Sequence, residues 1–367
     1  MKILIYASQP GHSTNRLLSE IEKRAKKQPE LNLSGEVEYV YDLYAYCSEV
    51  KGHDRVYRRA PKKSEKLVSR EYGAIIPRLA GVGFDYGVGV VRHLTRNLNI
   101  FSTATDTGLR VCSNKFLTCQ VLSEFGLRVP KQVLSHQPSD YKELIDLVGG
   151  LPAVAKLQRG SQGAGVFILE TVLAASTALR ALEMTKTDVV LTRFIDSGKP
   201  ANDLRIIVIG AETENPVTFA YRRFAVDSDF RSNYSISGKG EKCDITEEEK
   251  AMAITASRVL GGGCHGVDIM RDSKNGDLPY LIEVNGCPGL AGVEAVTGEN
   301  VAGAILDYVL TNYKRGGFRK LTTEGGATSQ AVETVRNILP ASSAGLTGNQ
   351  VKENFAQMVS RLRSDYL

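Results

Sequence analysis

Apolar residues follow two different patterns along this chain, and the first covers roughly residues 1–108. The short runs Lys2–Ala7, Val37–Val40 and Tyr72–Pro77 are typical of buried strands, whereas the apolar residues after Thr14 recur at helical spacing. Strands that alternate with helices usually pair in parallel. The pattern therefore predicts a parallel α/β sheet at the N-terminus.

The second pattern begins near Leu151, where short apolar runs are separated by turns. Such runs predict largely antiparallel sheets. The expected elements are strands at Ala153–Leu157, Val166–Glu170, Val189–Ile195, Leu204–Ile209, Val217–Phe224, His265–Met270 and Tyr280–Asn285, and a helix at about Asn300–Tyr313.

Three helices have recognisable N-terminal signals. Ser113 and Ser139 are candidate N-caps, the second for a helix at Tyr141–Val148. Thr246 and Glu249 have the spacing of a capping box. These signals place helices between the predicted strands.

Together the patterns divide the 367 residues into three parts. We expect an N-terminal α/β domain at 1–110 and a second unit at 111–315. Residues 316–367 begin as a polar, Gly/Thr/Ser-rich linker and end in an amphipathic helix of unassigned role. A chain of this length is expected to hold more than one domain.

The composition excludes several classes of protein. Hydrophobic residues make up 42% and charged residues 24%, as in ordinary globular proteins. No apolar run approaches the roughly 18 residues of a membrane span, and the N-terminus does not resemble a signal peptide. The six cysteines lack paired spacing, so neither a zinc site nor a disulfide framework is expected. We expect a cytoplasmic protein with no membrane partner.

The net charge of +5 is concentrated in one segment. Residues 51–70 contain eight lysines and arginines against two acidic residues. This segment is either a solvated loop or a docking surface for an acidic partner. The total charge is too small to indicate a nucleic-acid-binding protein.

A glycine-rich loop, Arg159–Val166, connects two predicted strands, and Lys156 precedes it. Such loops expose backbone N–H groups that can hold phosphate oxygens. The loop matches neither the Walker pattern nor the Rossmann pattern. By itself it could equally be a plain hairpin turn.

Two carboxylates are expected to face each other on adjacent strands. If Asn275 and Gly276 form a two-residue hairpin turn, Asp268 lies opposite Glu283, and Asn285 lies on the same face. Three oxygen ligands of this kind suit Mg²⁺, whose coordination substrate phosphates complete. The alternative is that both carboxylates simply face solvent.

Several arginines precede this pair along the chain. Guanidinium groups bind carboxylate and phosphoryl oxygens with two hydrogen bonds. The alternative for any one of them is a surface ion pair. The set comprises Arg205, Arg222, Arg223 and Arg231, followed by Ser232 and Asn233.

Taken in order, these motifs resemble those of the ATP-grasp carboxylate–amine ligases, and specifically the RimK family of α-glutamate ligases. The phrase Phe230-Arg231-Ser232-Asn233 separates this branch from looser relatives. The other matching segments are Ala74–Arg78, Lys115, Lys156–Leu157 before Gly160–Val166, Arg222–Arg223, Gly266–Ile269, Glu283–Asn285 and Pro288–Leu290.

The resemblance implies an α/β (α+β) fold, in which an N-terminal parallel pre-grasp domain precedes an ATP-grasp body with a central part at 111–190 and a C-terminal part at 191–315. ATP would lie between two antiparallel sheets, and Mg²⁺ or Mn²⁺, as two ions, would be bound by Asp268, Glu283 and Asn285. Catalysis would use Lys156, Arg223 and Arg231. The implied ATP-contacting residues are Lys115, Lys156, Gly160, Ser161, Gln162, Gly163, Gly165, Thr192, Arg193, Phe194, Ile195, Asp203, Arg231, Ser232 and Asn233.

The chain departs from the family at one point. Relatives often have Gln-Glu where this chain has Thr192-Arg193. Backbone contacts to adenine would survive this change, whereas a side-chain contact would be lost.

By resemblance, a carboxylate would attack ATP to give an acyl phosphate, and the amine of an amino acid would then form an amide. The expected reaction adds glutamate to the C-terminal carboxylate of a protein or peptide, such as a small-subunit ribosomal protein, or builds short poly-glutamate. A small-molecule dipeptide ligase is the alternative in the same superfamily. A phosphotransferase and an RNA- or ribosome-binding module remain as alternatives from other classes. The oligomeric state stays open, a homo-oligomer included.

Overall fold

The computed structural model describes residues 1–50, 54–59, 66–67, 72–158, 165–225 and 239–316. The strands are β1 (Lys2–Ala7), β2 (Ser34–Tyr39), β3 (Leu43–Tyr46), β4 (Arg55–Arg58), β5 (Lys66–Leu67), β6 (Ala74–Arg78), β7 (Phe101–Ser102), β8 (Gln132–Ser135), β9 (Ala153–Leu157), β10 (Val166–Leu169), β11 (Val189–Arg193), β12 (Asn202–Ile209), β13 (Val217–Phe224), β14 (Gly240–Lys242), β15 (Cys264–Asp272) and β16 (Leu278–Asn285).

Helices lie between these strands and cover the sheets. The α-helices of the described residues are His12–Lys27, Phe84–Arg92, Asp106–Cys112, Lys115–Glu124, Tyr141–Val148, Val172–Met184, Glu247–Val259, Ala291–Thr297 and Val301–Asn312. None of these helices is both long enough and apolar enough to cross a membrane.

The N-terminal sheet has the order β2-β1-β6-β7, and all of its pairs are parallel. The predicted parallel α/β sheet is therefore confirmed. Helix His12–Lys27 buries Leu17 and Ile21 against it. A small additional sheet beside it, with the order β3-β4-β5, is antiparallel and was not predicted.

The second sheet has the order β10-β9-β11-β8 and is antiparallel throughout. Ala153, Ala155 and Leu191 on one face form a core with the two helices that flank the sheet. Because side chains alternate along a strand, Lys156 lies on the opposite face. Thr192 pairs with Val154 and therefore shares that face with Lys156.

The third sheet has the order β14-β13-β12-β15-β16 and is also antiparallel. Its even-numbered residues on β12, such as Leu204 and Ile206, form a core that includes residues of helices Lys115–Glu124 and Glu247–Val259. The odd-numbered residues lie on the other face. There Ile207 and Ile209 are covered by apolar side chains at one end, and the other end is polar.

The first and third sheets share one apolar core, which includes residues of helix Val301–Asn312. Polar contacts reinforce this packing. Arg16 donates to Glu294 at 2.8 Å and to Asn300 at 2.6 Å, and Arg24 donates to Asp307 at 2.6 Å. The N-terminal sheet is thus fixed relative to the sheet that carries the predicted metal ligands.

One predicted N-cap is confirmed and one is displaced by a residue. The Thr246 hydroxyl accepts from the Glu249 N–H at 3.2 Å, and the Glu249 carboxylate accepts from the Thr246 N–H at 2.8 Å. For the helix near Ser113, Asn114 is the N-cap instead, and its side chain accepts from the Leu117 N–H at 3.0 Å. The helix therefore begins one residue later than predicted, with Asn114 rather than Ser113 as its N-cap.

The predicted cap at Ser139 is wrong. Asp140 occupies the N-cap position of helix Tyr141–Val148, and its side chain makes no capping hydrogen bond. Residues 316–367 were predicted to form a linker and a helix, and of these all but Gly316 lie outside the described residues, as does most of the basic segment.

Candidate active site

Asp268 on β15 lies directly opposite Glu283 on β16, as the sequence predicted. The predicted turn is nevertheless wrong. Residues Ser273–Asn275 form a 3₁₀ turn instead of part of a two-residue hairpin. The ladder also shifts by one position between Asp268 and Ile269, at a β-bulge. The longer loop and the bulge compensate, so the register at Asp268 is the expected one.

Asp268 is bound by two arginines from the neighbouring strands. Arg205 lies directly across from it on β12 and donates to both carboxylate oxygens, with an Nη2–Oδ2 distance of 2.8 Å. Arg223 Nη2 lies 3.0 Å from Asp268 Oδ2. Burial alone would raise the pKa of Asp268, but the two guanidinium groups outweigh it and hold this pKa below its usual range.

Arg223 is also bound to Asp203, which lies opposite it on β12. Its Nε donates to Asp203 Oδ1 at 2.9 Å, and its Nη2 donates to Asp203 Oδ2. Burial alone would lower the pKa of Arg223, but Asp268 and Asp203 reverse the effect and raise it. The four strands β13, β12, β15 and β16 thus place a row of charged side chains of both signs on one face. We call this set of Arg223, Asp203, Arg205, Asp268 and Glu283 the charged row.

Asn285 extends the charged row. Its Nδ2 lies 3.5 Å from Asp268 Oδ2, and its backbone pairs with Gly266. Two carboxylates and one amide oxygen therefore lie close together on paired strands. Within the described residues no cluster of three or more His, Cys, Asp or Glu side chains is placed to hold a metal ion. The set nevertheless fits Mg²⁺, which commonly takes one or two protein carboxylates and substrate phosphates.

Lys156 approaches Glu283 from the second sheet. Burial lowers the pKa of Lys156, the charge of Lys115 lowers it further, and Cys119 and Glu283 oppose these effects. These charges act on one another only because the two sheets face each other here. Lys115 begins helix Lys115–Glu124, and its N–H lies 3.4 Å from the carbonyl oxygen of Gln158 at the end of β9.

Gly165 ends the glycine-rich loop with a positive φ of 75°. Its carbonyl accepts from the Leu157 N–H at 2.8 Å, and a Cβ at this position would lie 2.7 Å from the Leu157 side chain. Glycine is therefore required here for two reasons. The predicted ATP-contacting residues Gly160, Ser161, Gln162, Gly163, Arg231, Ser232 and Asn233 lie outside the described residues.

The segment Thr192–Ile195 lies where β11 leaves the second sheet. Thr192 is buried, and its hydroxyl has no hydrogen-bond partner within the described part of the chain. Phe194 is partly buried and Ile195 is buried. Thr192 shares a sheet face with Lys156, so its hydroxyl lies on the side of the cleft.

Arg193 connects the second and third sheets. Its guanidinium donates to Tyr280 Oη at 3.0 Å and to Asp272 Oδ2 at 2.8 Å, and it lies 5.4 Å from the centre of the Tyr280 ring. Beside it, the Ser273 N–H donates to the carbonyl of Asp196 at 2.7 Å. Arg193 is engaged in holding the two sheets together.

The sequence assigned no specific role to Arg205, whereas the tertiary structure shows which carboxylate it binds. Arg205 belongs to the predicted cationic set, and its partner is Asp268. The available signal was the alternation of Asp203 and Arg205 on one strand face, but only the pairing of β12 with β15 identifies the partner. The six cysteines, which the sequence predicted to be unpaired, are free.

The arrangement of two antiparallel sheets around a charged cleft is shared with solved ATP-grasp ligases. The structure of the ATP-grasp ligase PsnB with minimal precursor, Mg and ADP matches with a TM-score of 0.62, at 15% identity, over 85% of this chain and 98% of that one. The D-alanine-D-alanine ligase from Coxiella burnetii matches with a TM-score of 0.59, at 15% identity, over 86% and 96%. The fold is that of the ATP-grasp ligases.

Sequence comparison identifies the family. Residues 112–309 match the family model described as the RimK-like ATP-grasp domain. A probable alpha-L-glutamate ligase of Aliivibrio salmonicida (strain LFI1238) is 32% identical over 313 residues, which cover 85% of this chain and 96% of that protein. Another, of Halorhodospira halophila (strain DSM 244 / SL1), is 32% identical over 317 residues, covering 86% and 97%. The chain belongs to the RimK-like ATP-grasp family and is an ATP-dependent ligase that joins a carboxylate to an amine.

Proposed function

We propose that this ligase adds glutamate to a carboxylate of a protein or peptide, through an acyl phosphate. The observation that carries the proposal is the position of Lys156 opposite the charged row. Cations and metal-binding oxygens then surround one space, as phosphoryl transfer requires. The curated relatives are named glutamate ligases, which supports glutamate as the amino acid.

We assign the metal ligands to Asp268, Glu283 and Asn285, which would hold Mg²⁺, or Mn²⁺ in its place, as two ions. When bound, the metal neutralises phosphate charge. Arg205 already binds both oxygens of Asp268. That contact fixes the orientation of the carboxylate before any ligand arrives, and it partly neutralises its charge.

We assign Lys156, with Lys115 beside it, to the phosphates of ATP, together with the loop 160–165. Arg223 is placed to stabilise the acyl phosphate, and Arg231 is assigned the same task from sequence alone. Thr192–Ile195 would hold the adenine. Arg223 is held by two carboxylates on its own sheet, so its guanidinium is already in position when the reaction begins.

The bond changes follow from this placement. An acceptor carboxylate oxygen attacks the γ-phosphorus, the bond to the β-phosphate oxygen breaks, and ADP leaves. The amine of glutamate then attacks the acyl carbon, loses a proton to solvent, and expels inorganic phosphate. The chain supplies positioning and charge, and no side-chain nucleophile is needed.

The proposed acceptor class rests on the charge of one segment. A polypeptide acceptor with an acidic tail would suit the basic segment 51–70, whose charge is evident from the sequence. We therefore propose an acidic or C-terminal carboxylate of a protein or peptide as the acceptor, and we propose the cytoplasm as the site of reaction.

The proposal is tested by incubating the protein with ATP, Mg²⁺ and each amino acid in turn, with and without cell extract, and measuring ADP release and product mass. A mass increase of one or more glutamyl residues on a polypeptide is expected. Free dipeptide with no polypeptide product would instead identify a small-molecule ligase. A stable phosphorylated product would contradict the assigned reaction.

A further inference from the structure

Arg78 is the last residue of β6, at the carboxyl end of the parallel N-terminal sheet. In open α/β sheets, ligands bind at the carboxyl ends of the strands. Ile76, two residues earlier, lies in the core shared with the third sheet. Because side chains alternate along a strand, Arg78 points toward the third sheet as well. Its guanidinium therefore lies where the two sheets meet.

The contacts of Arg78 differ from those of the arginines in the charged row. Its Nη2 donates to the carbonyl oxygen of Pro288 at 2.7 Å. Among the described residues no carboxylate lies within ion-pair distance of it, whereas Arg205 and Arg223 are each bound to aspartates. A guanidinium has five N–H donors. Arg78 is thus a half-buried cation with no counter-ion in the part of the chain that the structure describes.

Arg78 lies close to the charged row through Pro288 and Gly266. A Cβ on Gly266 would lie 2.7 Å from Pro288 Cβ and 3.5 Å from Arg205 Nη1. Gly266 is also the strand partner of Asn285. Only a glycine allows the Pro288 loop and Arg205 to approach so closely. The loop that Arg78 contacts therefore packs against Gly266, the strand partner of the proposed metal ligand Asn285.

A small, partly open cleft lies at this junction. Its lining combines the Arg78 cation with small and apolar groups. The lining residues are Ile76, Pro77, Arg78, Thr103, Cys264, Gly286, Pro288 and Ile305.

We propose that Arg78 binds a carboxylate of the incoming amino acid. The inference rests on the proposed function and names the subsite of its second substrate. A half-buried guanidinium without a counter-ion binds a carboxylate strongly, because the new ion pair compensates for the hydration that the guanidinium lost on burial. The contact would hold the amino acid beside the charged row, where its amine can reach the acyl phosphate.

The test measures equilibrium binding of radiolabelled L-glutamate to the full chain loaded with Mg²⁺ and a non-hydrolysable ATP analogue. Arg78→Gln should weaken glutamate binding about 10- to 100-fold, and Arg78→Lys should restore part of it. Binding of the ATP analogue should not change. Arg24→Gln, which removes an arginine bound to Asp307 away from the cleft, is the matched control and should bind glutamate normally.

Two amide analogues of glutamate can show which of its two carboxylates Arg78 binds. If Arg78 binds the α-carboxylate, glutamate α-amide should bind wild type and Arg78→Gln equally, while glutamine retains the difference. If it binds the side-chain carboxylate, the result should be reversed. A difference that persists with both amides would overturn the proposal.

The remaining outcomes separate this inference from the proposed function. If wild type binds glutamate and Arg78→Gln binds it as tightly, the Arg78 assignment is wrong and the proposed function stands. If wild type binds no glutamate, the donor assignment fails and the Arg78 assignment fails with it.

Discussion

Arg223 and Asp203 occupy directly opposed positions on β13 and β12, and both oxygens of the carboxylate are bound by the one guanidinium. Arg223→Met would leave Asp203 buried without its partner and would remove one of the two cations at Asp268. Losing one member of a buried pair costs about 3–5 kcal/mol. We expect a large drop in the free energy of unfolding, measured by urea titration.

A double substitution provides the control for this pair. Arg223→Met with Asp203→Asn removes the uncompensated charge as well, so it should be more stable than Arg223→Met alone. In Arg223→Lys, which keeps a charge but loses the paired hydrogen bonds, amide formation should fall more than ATP binding. Equal losses in the two would contradict the acyl-phosphate role.

Glu283 is expected to be required for turnover and not for folding. Glu283→Gln keeps the shape and removes the charge, and ADP release should fall by about 100-fold or more because charge neutralisation at the phosphates is lost. The thermal midpoint should stay close to that of wild type. Glu241→Gln, on the same sheet but exposed and 3.4 Å from Arg222, is the matched control. Wild-type turnover in Glu283→Gln would refute the metal assignment.

Thr192 should show opposite effects on stability and on nucleotide binding. Its buried hydroxyl has no partner among the described residues, so Thr192→Val should leave the unfolding free energy unchanged or raise it. If the hydroxyl binds the nucleotide, the same change should weaken ATP binding about 10-fold, measured by calorimetry.

Thr95 is the matched control for Thr192. It is equally buried, but its hydroxyl donates to the carbonyl of Val91 at 2.8 Å. Thr95→Val should lose about 1 kcal/mol of stability and keep normal ATP affinity. Unchanged ATP affinity in Thr192→Val would show that the Thr192 hydroxyl does not bind the nucleotide.

The buried imidazole of His265 should make the stability of the protein depend on pH. Burial lowers its pKa from 6.5 to about 4, and its Nδ1 lies 2.9 Å from the Ser257 hydroxyl. Between these two values the unfolded chain binds the proton and the folded chain does not. The stability that this group contributes is therefore present above about pH 6.5 and is lost as the pH falls toward 4.

The size of this effect is about 2 kcal/mol between pH 7 and pH 5. His265→Gln should be less sensitive to pH by that amount, measured by urea unfolding at both pH values. At pH 8 the imidazole is neutral in both the folded and the unfolded chain. The difference in unfolding free energy between the two proteins at that pH therefore reports only the change in packing and serves as the baseline. An identical pH dependence in both proteins would rule out His265 as its source.

The prediction of the strands succeeded because local pattern decides them. The run Val217–Phe224 is the observed strand β13, and the capping box at Thr246 forms as expected. The strand and the capping box each depend only on residues that are close together in the sequence. By contrast, the cap predicted at Ser139 is wrong, because the N-cap position falls on Asp140, whose side chain makes no capping hydrogen bond.

The sequence correctly predicted that Asp268 lies opposite Glu283, but the two-residue turn on which that prediction was based does not form. The loop is longer than a two-residue turn, and a bulge next to Asp268 restores the register. Sequence spacing alone gives no indication of a bulge, because a bulge is selected by the burial of the strand faces around it.

The sequence by itself determined the family motifs, the strand and helix pattern, and the kinds of side chain available for chemistry. Only the tertiary structure decided which charges meet. Asp268 is bound by Arg205 and Arg223 because β12 lies between β13 and β15, and Arg78 reaches Pro288 because two sheets share a core. Hydrophobic burial fixes those sheet positions, and the distances between charges follow from it.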